Sequence, residues 1–193
     1  EGRSHNLLVK NAIPFYSAQD PRVPAKYTIS SKGDTTISQD GLIPSRTTTL
    51  WSQFGSVPLL NGLDARLIEA EGKLKAGDIA GMMTILNDLR QNPPKVDDIT
   101  PAKMAVLPAP ATQAAAVDLY FREKAFWEFG RGFRLGDMRR LIRQYGRTAA
   151  TVFPTGAHYR GGNYGSDVNL PVPQQEQNNP ETGGKDACID RNA

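Results

Sequence analysis

The stretch VDLYFREKAFWEFGRGFRLGDMRRLIRQY, residues 117–145, decides the fold of this chain. In its first half, apolar side chains are spread nearly all the way round a helical wheel drawn at about 100° per residue. These side chains are Val117, Leu119, Tyr120, Phe121, Ala125, Phe126, Trp127 and Phe129. Apolar residues on every side are typical of a buried helix. The stretch therefore predicts a core helix against which the rest of the chain packs.

Burying this helix would also bury charges, and the spacing predicts how they are neutralised. Asp118 and Arg122 are four residues apart, as are Lys124 and Glu128. Opposite charges at this spacing meet on a helix surface. Because an unpaired buried charge is costly, we expect two ion pairs along the helix.

Gly130 and Gly132 interrupt the stretch, and a second helix is expected to begin near Phe133. Its apolar residues share one side: Leu135, Met138, Leu141, Ile142 and Tyr145. Its opposite side carries the arginines: Arg139, Arg140, Arg143 and Arg147. This pattern predicts an amphipathic helix with one buried face.

A helical hairpin is predicted upstream of the core helix. The first helix begins near Leu63, with Leu67, Ala70 and Leu74 on one face, and ends at Gly77. Asp78 is expected to cap the second helix, which Asn92 and two prolines stop. Its apolar stripe is Ile79, Met82, Met83, Leu86 and Leu89. Such a pair of helices is typical of tetratricopeptide repeats. Since a lone pair cannot bury its own apolar face, it must pack on residues 117–145 or on a part of the protein outside this sequence.

The two flanks of the chain have no helical period. In residues 1–60 we expect a short β-hairpin, with strands at 27–30 and 35–38, and Trp51 and Phe54 as loop anchors. Residues 148–193 are predicted to be a loop-rich tail wrapped back over the helices, with three apolar side chains buried: Val168, Leu170 and Val172. The predicted fold is thus mostly α, with tetratricopeptide-like hairpins, extensive loops and a short β-hairpin. The 193 residues suffice for one domain, made of parts 1–60, 61–147 and 148–193.

Composition and motifs argue against several classes of function. No apolar run approaches the length of about 18 residues that a membrane-spanning helix needs. Cys188 is the single cysteine, so an internal disulfide framework and a cysteine metal cluster are excluded. The two histidines, His5 and His158, lack metal-ligand spacing, and neither a G-x-S-x-G motif nor a G-x-G-x-x-G motif is present. We therefore expect no catalytic residues, no metal, no cofactor and no enzymatic activity.

The row of arginines after residue 138 suits phosphates or acidic partners. Alternatively these side chains pair with carboxylates elsewhere in the fold or are solvated. Nucleic-acid binding usually adds a recognisable motif and interleaved aromatic residues, which are absent here. We expect no nucleic-acid partner.

The best candidate for a ligand site is a glycine-rich loop near the end of the chain. Tyr159, Arg160, Asn163 and Tyr164 flank Gly161 and Gly162 in this loop. A sugar stacks its C–H face on a flat aromatic ring, and guanidinium and amide groups bind its hydroxyls. Trp51 lies in another loop and is a further candidate. The alternative is that these aromatic residues only hold their loops in place.

Four sequence blocks, taken in order, resemble the C-terminal half of the SusD/RagB family. They are ARLIEAEGKLKAGDIAGMMTILNDLR, LYFREKAFWEFGRGFRLGDMRRLIRQYGR, VFPTG and YGSDVNLPVPQQEQNNP. Together they cover about residues 60–180, and residues 1–59 match more loosely through DPRVP. The Arg-rich helix followed by LPVPQQEQNNP is the most specific part of the resemblance.

The resemblance implies a nutrient-binding lipoprotein on the extracellular face of a Gram-negative outer membrane. Such proteins cap a SusC-like TonB-dependent transporter and pass oligosaccharides or other nutrients to it. It also implies that this chain is a C-terminal portion, with a lipid anchor on a missing N-terminal part. Because an odd cysteine in an exported protein suggests a partner elsewhere, we expect Cys188 to form a disulfide with that missing part. A second class stays open, in which the helices form a protein-interaction scaffold that binds no small ligand.

Overall fold

The computed structural model describes residues 9–56, 58–96 and 98–170, together with 173, 175 and 178. Helices predominate in this part of the chain, and two short strands form an antiparallel sheet. The elements are β1 (Ala25–Tyr27), β2 (Arg46–Thr48), α1 (Gly62–Lys75), α2 (Ile79–Gln91), α3 (Gln113–Trp127), α4 (Phe133–Tyr145) and α5 (Ala149–Val152). The prediction of a mostly α fold is confirmed, and none of the described helices is both long and apolar enough to cross a membrane. His5, Val172 and Cys188 lie outside the described residues.

The described residues fall into two compact units. The first unit is Ile13–Phe133, and the second unit combines residues 9–12 with residues 134–170. The first holds the sheet and helices α1 to α3, and the second holds α5 and nearly all of α4. The single domain expected from the sequence stays a prediction.

The predicted helical hairpin of the first unit is confirmed at its caps. Asn61 and Asp64 form a capping box at the start of α1, where Asn61 Oδ1 accepts from the Asp64 N–H at 3.1 Å. Gly77 follows α1 with a left-handed φ of +77°, a conformation that only glycine adopts without strain. Asp78 then caps α2, accepting from the Gly81 N–H at 2.8 Å. Local signals alone set these boundaries.

Helix α3 packs against α1 and α2 and is the core of the first unit. Its side chains are buried on several sides: Ala116, Val117, Tyr120, Phe121, Glu123, Lys124, Ala125, Phe126 and Trp127. The Tyr120 hydroxyl donates to the Leu67 carbonyl of α1 at 2.9 Å. The prediction of a central buried helix is confirmed.

Only one of the two ion pairs expected along α3 is buried. Lys124 pairs with Glu128, as predicted. Asp118 and Arg122 are exposed, so the expectation that they are buried with the helix is wrong. The sequence pattern also missed a buried carboxylate, Glu123, because its partners are distant in sequence.

Glu123 lies at the centre of a buried charge network. It accepts from Arg22 at 2.7 Å and from Arg90 at 3.0 Å. Asp20 also accepts from Arg22, at 2.8 and 2.7 Å. Burial alone would raise the pKa of Asp20, but the hydrogen bond and charge of Arg22 outweigh it and lower that pKa. The Arg22 guanidinium lies over the rings of two α3 residues, Phe126 and Trp127, at 5.0 and 4.9 Å.

A second buried pair joins α1 to the turn after α3. Arg131 donates to both carboxylate oxygens of Asp64, at 2.7 and 2.9 Å. Burial would raise the pKa of Asp64, but the hydrogen bonds from Arg131 and from the Asn61 N–H hold it below its usual range. Two-pronged pairing of this kind fixes geometry as well as charge.

Two glycines after α3 have left-handed backbones, as their break in the pattern predicts. Gly130 has φ of +76° and Gly132 has φ of +85°. A Cβ on Gly130 would lie 2.2 Å from the Trp51 ring, so the indole packs directly on this backbone. Trp51 is therefore an anchor, whereas the same expectation for Phe54 is wrong, because that side chain is 90% exposed.

The sheet differs from the predicted hairpin. Strands β1 and β2 pair antiparallel with Tyr27 opposite Arg46, and the predicted hairpin lies between them. In place of that hairpin, an isolated bridge joins Ile29 to Thr35, and the chain turns between them at Gly33. The regular strand pairing thus joins segments about twenty residues apart. In so polar a stretch, the alternation of apolar and polar residues does not predict which segments pair.

The second unit joins the start of the described chain to residues 150–155. Lys10 N–H donates to the Thr155 carbonyl at 3.0 Å, and the Asn11 amide donates to carbonyls of residues 150 and 153 at 2.7 and 3.0 Å. The sequence did not predict the short helix α5. Val168 is buried as expected, but Leu170 is 75% exposed, so that part of the tail prediction is wrong.

On α4, in the second unit, Leu141 is buried and the other predicted apolar positions are half-buried. Arg140 on the opposite side pairs with Asp137 of the same helix at 3.3 Å. The predicted amphipathic character of α4 is confirmed.

Candidate functional site

The loop of residues 155–164 in the second unit holds four of the five predicted site residues. An antiparallel bridge joins Ala157 to Asn163, and the His158 N–H donates to the Gly162 carbonyl at 2.9 Å. At its base, the Tyr164 N–H donates to the Gly156 carbonyl at 2.9 Å. These bonds close the segment into a small hairpin, which we call the tyrosine loop.

Two glycines form the tip of the tyrosine loop. Gly161 and Gly162 have left-handed φ values of +100° and +70°, and the Gly161 N–H donates to the His158 carbonyl at 3.0 Å. No atom lies within 4 Å of the position where either Cβ would be. Backbone conformation rather than lack of space therefore requires glycine here, and the tip is left open.

The His158 ring contacts both tyrosine rings of the tyrosine loop. The His158 ring is 4.7 Å from the Tyr159 ring and 5.1 Å from the Tyr164 ring, centroid to centroid. The contact with Tyr164 is edge-to-face, at an interplanar angle of 84°. An edge-to-face pair occupies no more than one face of each ring. Tyr164 is 37% exposed, so part of this residue is accessible to a ligand.

Polar groups surround these rings. Arg160 and Asn163 are exposed, and the Arg160 guanidinium carbon is 5.7 Å from the centre of the Tyr159 ring. The Arg160 N–H donates to Nδ1 of His158 at 3.3 Å, which orients the imidazole. The tyrosine loop therefore presents hydrogen-bond donors and acceptors beside flat apolar surface.

The structure brings together Tyr159, Arg160, Asn163 and Tyr164, but Trp51 belongs to the first unit. Its half-buried indole packs on Gly130 and is not part of the tyrosine loop. Sequence reasoning missed the role of His158, because it tested this residue only as a metal ligand or catalyst. Its position next to Tyr159 was the available signal.

Among the described residues, no group of three or more histidine, cysteine, aspartate or glutamate side chains is placed to hold a metal ion. The buried carboxylates Asp64, Glu123 and Glu128 are all engaged by arginine or lysine. The absence of catalytic and cofactor chemistry stays a prediction.

Comparisons of the chain with protein-family models, with curated proteins and with solved structures found no match. The resemblance to the SusD/RagB family therefore rests on the four sequence blocks.

Proposed function

We propose that this chain is a nutrient-binding module and that its tyrosine loop binds an oligosaccharide. The observation that carries the proposal is the cluster of three rings, Tyr159, His158 and Tyr164, on a loop opened by two glycines. Sugar rings stack their C–H faces on such surfaces, and Arg160 and Asn163 are placed to bind the hydroxyls.

The cellular setting of the proposal comes from the sequence resemblance. We place the protein on the extracellular face of the outer membrane, where it works with a SusC-like TonB-dependent transporter. A lipid anchor on an N-terminal part would hold it there. Helices α1 and α2 are proposed to form a tetratricopeptide-like pair, a role supported by their short Gly-Asp turn and by their packing on α3.

Substitution of the two tyrosines tests the proposed site. Tyr159→Ala and Tyr164→Ala should each lower the affinity for an oligosaccharide found by glycan-array screening. We expect dissociation constants on the order of 10⁻³–10⁻⁵ M, because ordering a flexible ligand offsets much of the contact energy. Screening and calorimetry therefore need concentrated ligand. Phe54→Ala is the matched control, since it removes an aromatic ring that is 90% exposed in another loop.

Three results would contradict this proposal. Unchanged affinity in both tyrosine variants would exclude the loop as the site. Equal loss of affinity in the Phe54 control would show that the effect is not specific to the loop. A strongly lowered melting temperature together with unchanged affinity would identify the tyrosines as loop anchors.

A protein-interaction scaffold is the second candidate, and three exposed apolar side chains favour it. Phe54, Leu59 and Leu60 are 90%, 90% and 74% exposed, and large apolar side chains close together in sequence are typical of contact sites. In that case no glycan binds, and Leu59→Glu should weaken binding of the chain to a SusC-like transporter. Ile68→Glu, on the exposed side of α1, is the control because its side chain is 65% exposed.

A further inference from the structure

Arg46, a half-buried side chain in the first unit, differs from three other arginines of that unit in its partners. Arg22, Arg90 and Arg131 each donate to a carboxylate. The Nε–H of Arg46 is buried, and no described residue accepts a hydrogen bond from it. No described carboxylate forms an ion pair with its guanidinium either. The Nε of Arg131 is buried without an acceptor in the same way, but the guanidinium of Arg131 has Asp64 as its ion partner. The lack of a carboxylate partner is therefore what distinguishes Arg46.

Two tyrosines partly stabilise the Arg46 guanidinium. Its central carbon lies 4.0 Å from the Tyr16 ring centre and 5.3 Å from the Tyr27 ring centre. Stacking on aromatic faces favours a cation and also fixes the plane of the guanidinium. It supplies no acceptor for the N–H groups. The side chain is therefore held in one orientation while its hydrogen bonding stays incomplete.

A cavity of about 220 Å³ lies beside this guanidinium. Its walls include Phe15, Phe129, Val23 and Ala25, and Thr48 contributes at the strand edge. Phe15 and Phe129 contact each other with ring centres 4.9 Å apart, which makes a rigid aromatic wall. Since one water takes about 30 Å³ of liquid volume, the space exceeds a single bridging water. It is smaller than the roughly 300–1,000 Å³ of sites for drug-sized ligands.

We propose that this cavity, the Arg46 pocket, binds a small organic carboxylate that carries one six-membered ring. The carboxylate accepts from the Arg46 guanidinium, whose planar fork matches its two oxygens. The ring lies against the phenylalanine wall. A ligand of this size and charge supplies the anionic partner that Arg46 lacks and fills the apolar space. The proposal is independent of the sugar-binding function, because the tyrosine loop lies in the other unit.

Chemical-shift mapping of the full chain tests the Arg46 pocket. The probes are benzoate, cyclohexanecarboxylate and D-glucuronate, each at up to about 10 mM, with benzamide as the uncharged match of benzoate. We expect shifts at Phe15, Thr47 and Thr48 with at least one carboxylate, and at least tenfold weaker binding of benzamide than of benzoate. Tighter binding of glucuronate than of the other two acids would identify the ligand as a sugar acid, and the reverse order would identify a free ring acid.

Arg46→Met removes the charge and the donors while keeping a long side chain. It should weaken carboxylate binding at least tenfold. Arg66→Met is the control, because the Arg66 side chain is 40% exposed on α1 and lies outside the pocket. If Arg46→Met fails to fold, the proposal is judged on the unmodified chain. Two measurements then test it: the chemical-shift map and the comparison of benzoate with benzamide.

Three outcomes would overturn the proposal. The first is the absence of shifts at the pocket with every carboxylate. The second is equal affinity for benzamide and benzoate. The third is unchanged affinity in folded Arg46→Met. Failure of oligosaccharide binding in the tyrosine variants would leave this result untouched, because those substitutions are in the tyrosine loop.

Discussion

The core around α3 and the tyrosine loop both use aromatic side chains, but in opposite ways. In the core, Tyr120 and Trp127 are 0% and 1% exposed and contact partners from several elements. In the loop, Tyr164 is 37% exposed and contacts a histidine six residues away. The core rings therefore contribute burial energy, and the loop rings offer surface. Aromatic content alone thus says little about function, and each ring has to be judged by what covers it.

The largest expected effect comes from emptying the core. Trp127→Ala or Phe121→Ala should each destabilise the chain by roughly 3–5 kcal/mol, because each leaves a cavity that the packed helices cannot fill. Denaturant unfolding followed by circular dichroism measures the change. Phe54→Ala, with a side chain 90% exposed, should change stability by less than about 0.5 kcal/mol. A loss below about 1 kcal/mol for both core variants would show that α3 is not the core.

The two glycines after α3 offer a sharper test of packing. Gly132→Ala should lower the free energy of unfolding by about 1–2 kcal/mol, because alanine is strained in a left-handed backbone conformation. No steric term is expected, since nothing lies within 4 Å of the Cβ position. Gly130→Ala should cost about 1–3 kcal/mol more, because its Cβ meets the Trp51 ring. Thermal unfolding of both variants gives the difference.

Trp51→Ala removes the clash and serves as the control for this pair. Combined with Gly130→Ala, it should cost less than the sum of the two single changes. Additive costs would mean that the indole does not press on Gly130.

A smaller effect should depend on pH. Asp20 and Asp64 have lowered pKa values in the folded chain, so each binds its proton more weakly there than in the unfolded chain. Their stabilisation is full above the unfolded pKa of about 3.9 and is lost as pH falls through the folded pKa. Unfolding free energies measured from pH 7 to pH 2 should therefore decrease below about pH 4.

Removing one of these carboxylates should flatten the same curve. Asp64→Asn lowers stability at pH 7 and reduces the decrease in acid. Asp118→Asn, an exposed change on α3, should leave the slope as it is. An identical slope in Asp64→Asn would contradict the role given to its pairing with Arg131.

The smallest effect on stability is expected in the tyrosine loop. Tyr159→Ala and Tyr164→Ala should each change stability by less than about 1 kcal/mol and shift Tm by a few degrees. Differential scanning calorimetry measures this together with the loss of sugar affinity. A Tm loss as large as that of Trp127→Ala would remove the contrast between core and loop.

The helices could be predicted from sequence because their signals are local. Each signal depends on a few neighbouring residues: the cap at Asp78, the glycines at 77 and 130, and the apolar period of residues 117–129. The structure has helix ends beside the cap and both glycines. The amphipathic character of α4 followed from its period in the same way.

Features that depend on distant residues could not be predicted. Arg22 and Glu123 pair across 101 residues, and nothing in either neighbourhood indicates the other. The pairing of β1 with β2 was missed because another hairpin lies between them. The exposure of Phe54 and of Leu170 was missed because hydrophobicity alone predicts burial. The four residues of the tyrosine loop could be predicted because they are close in sequence. The Arg46 pocket could not be predicted, because its walls come from three separate segments.

The contact of residues 10 and 11 with residues 150–155 has a consequence for the order of folding. The described part of the first unit is one continuous segment, so it can fold while the chain is still being synthesised. The second unit cannot close until Thr155 has been made, since Asn11 contacts carbonyls 139 and 142 residues later in the chain. Pairing across so long a loop is slow to form. The tyrosine loop begins at that late contact, so Thr155 at its base can pair with Lys10 only after residues 10–155 have all been made.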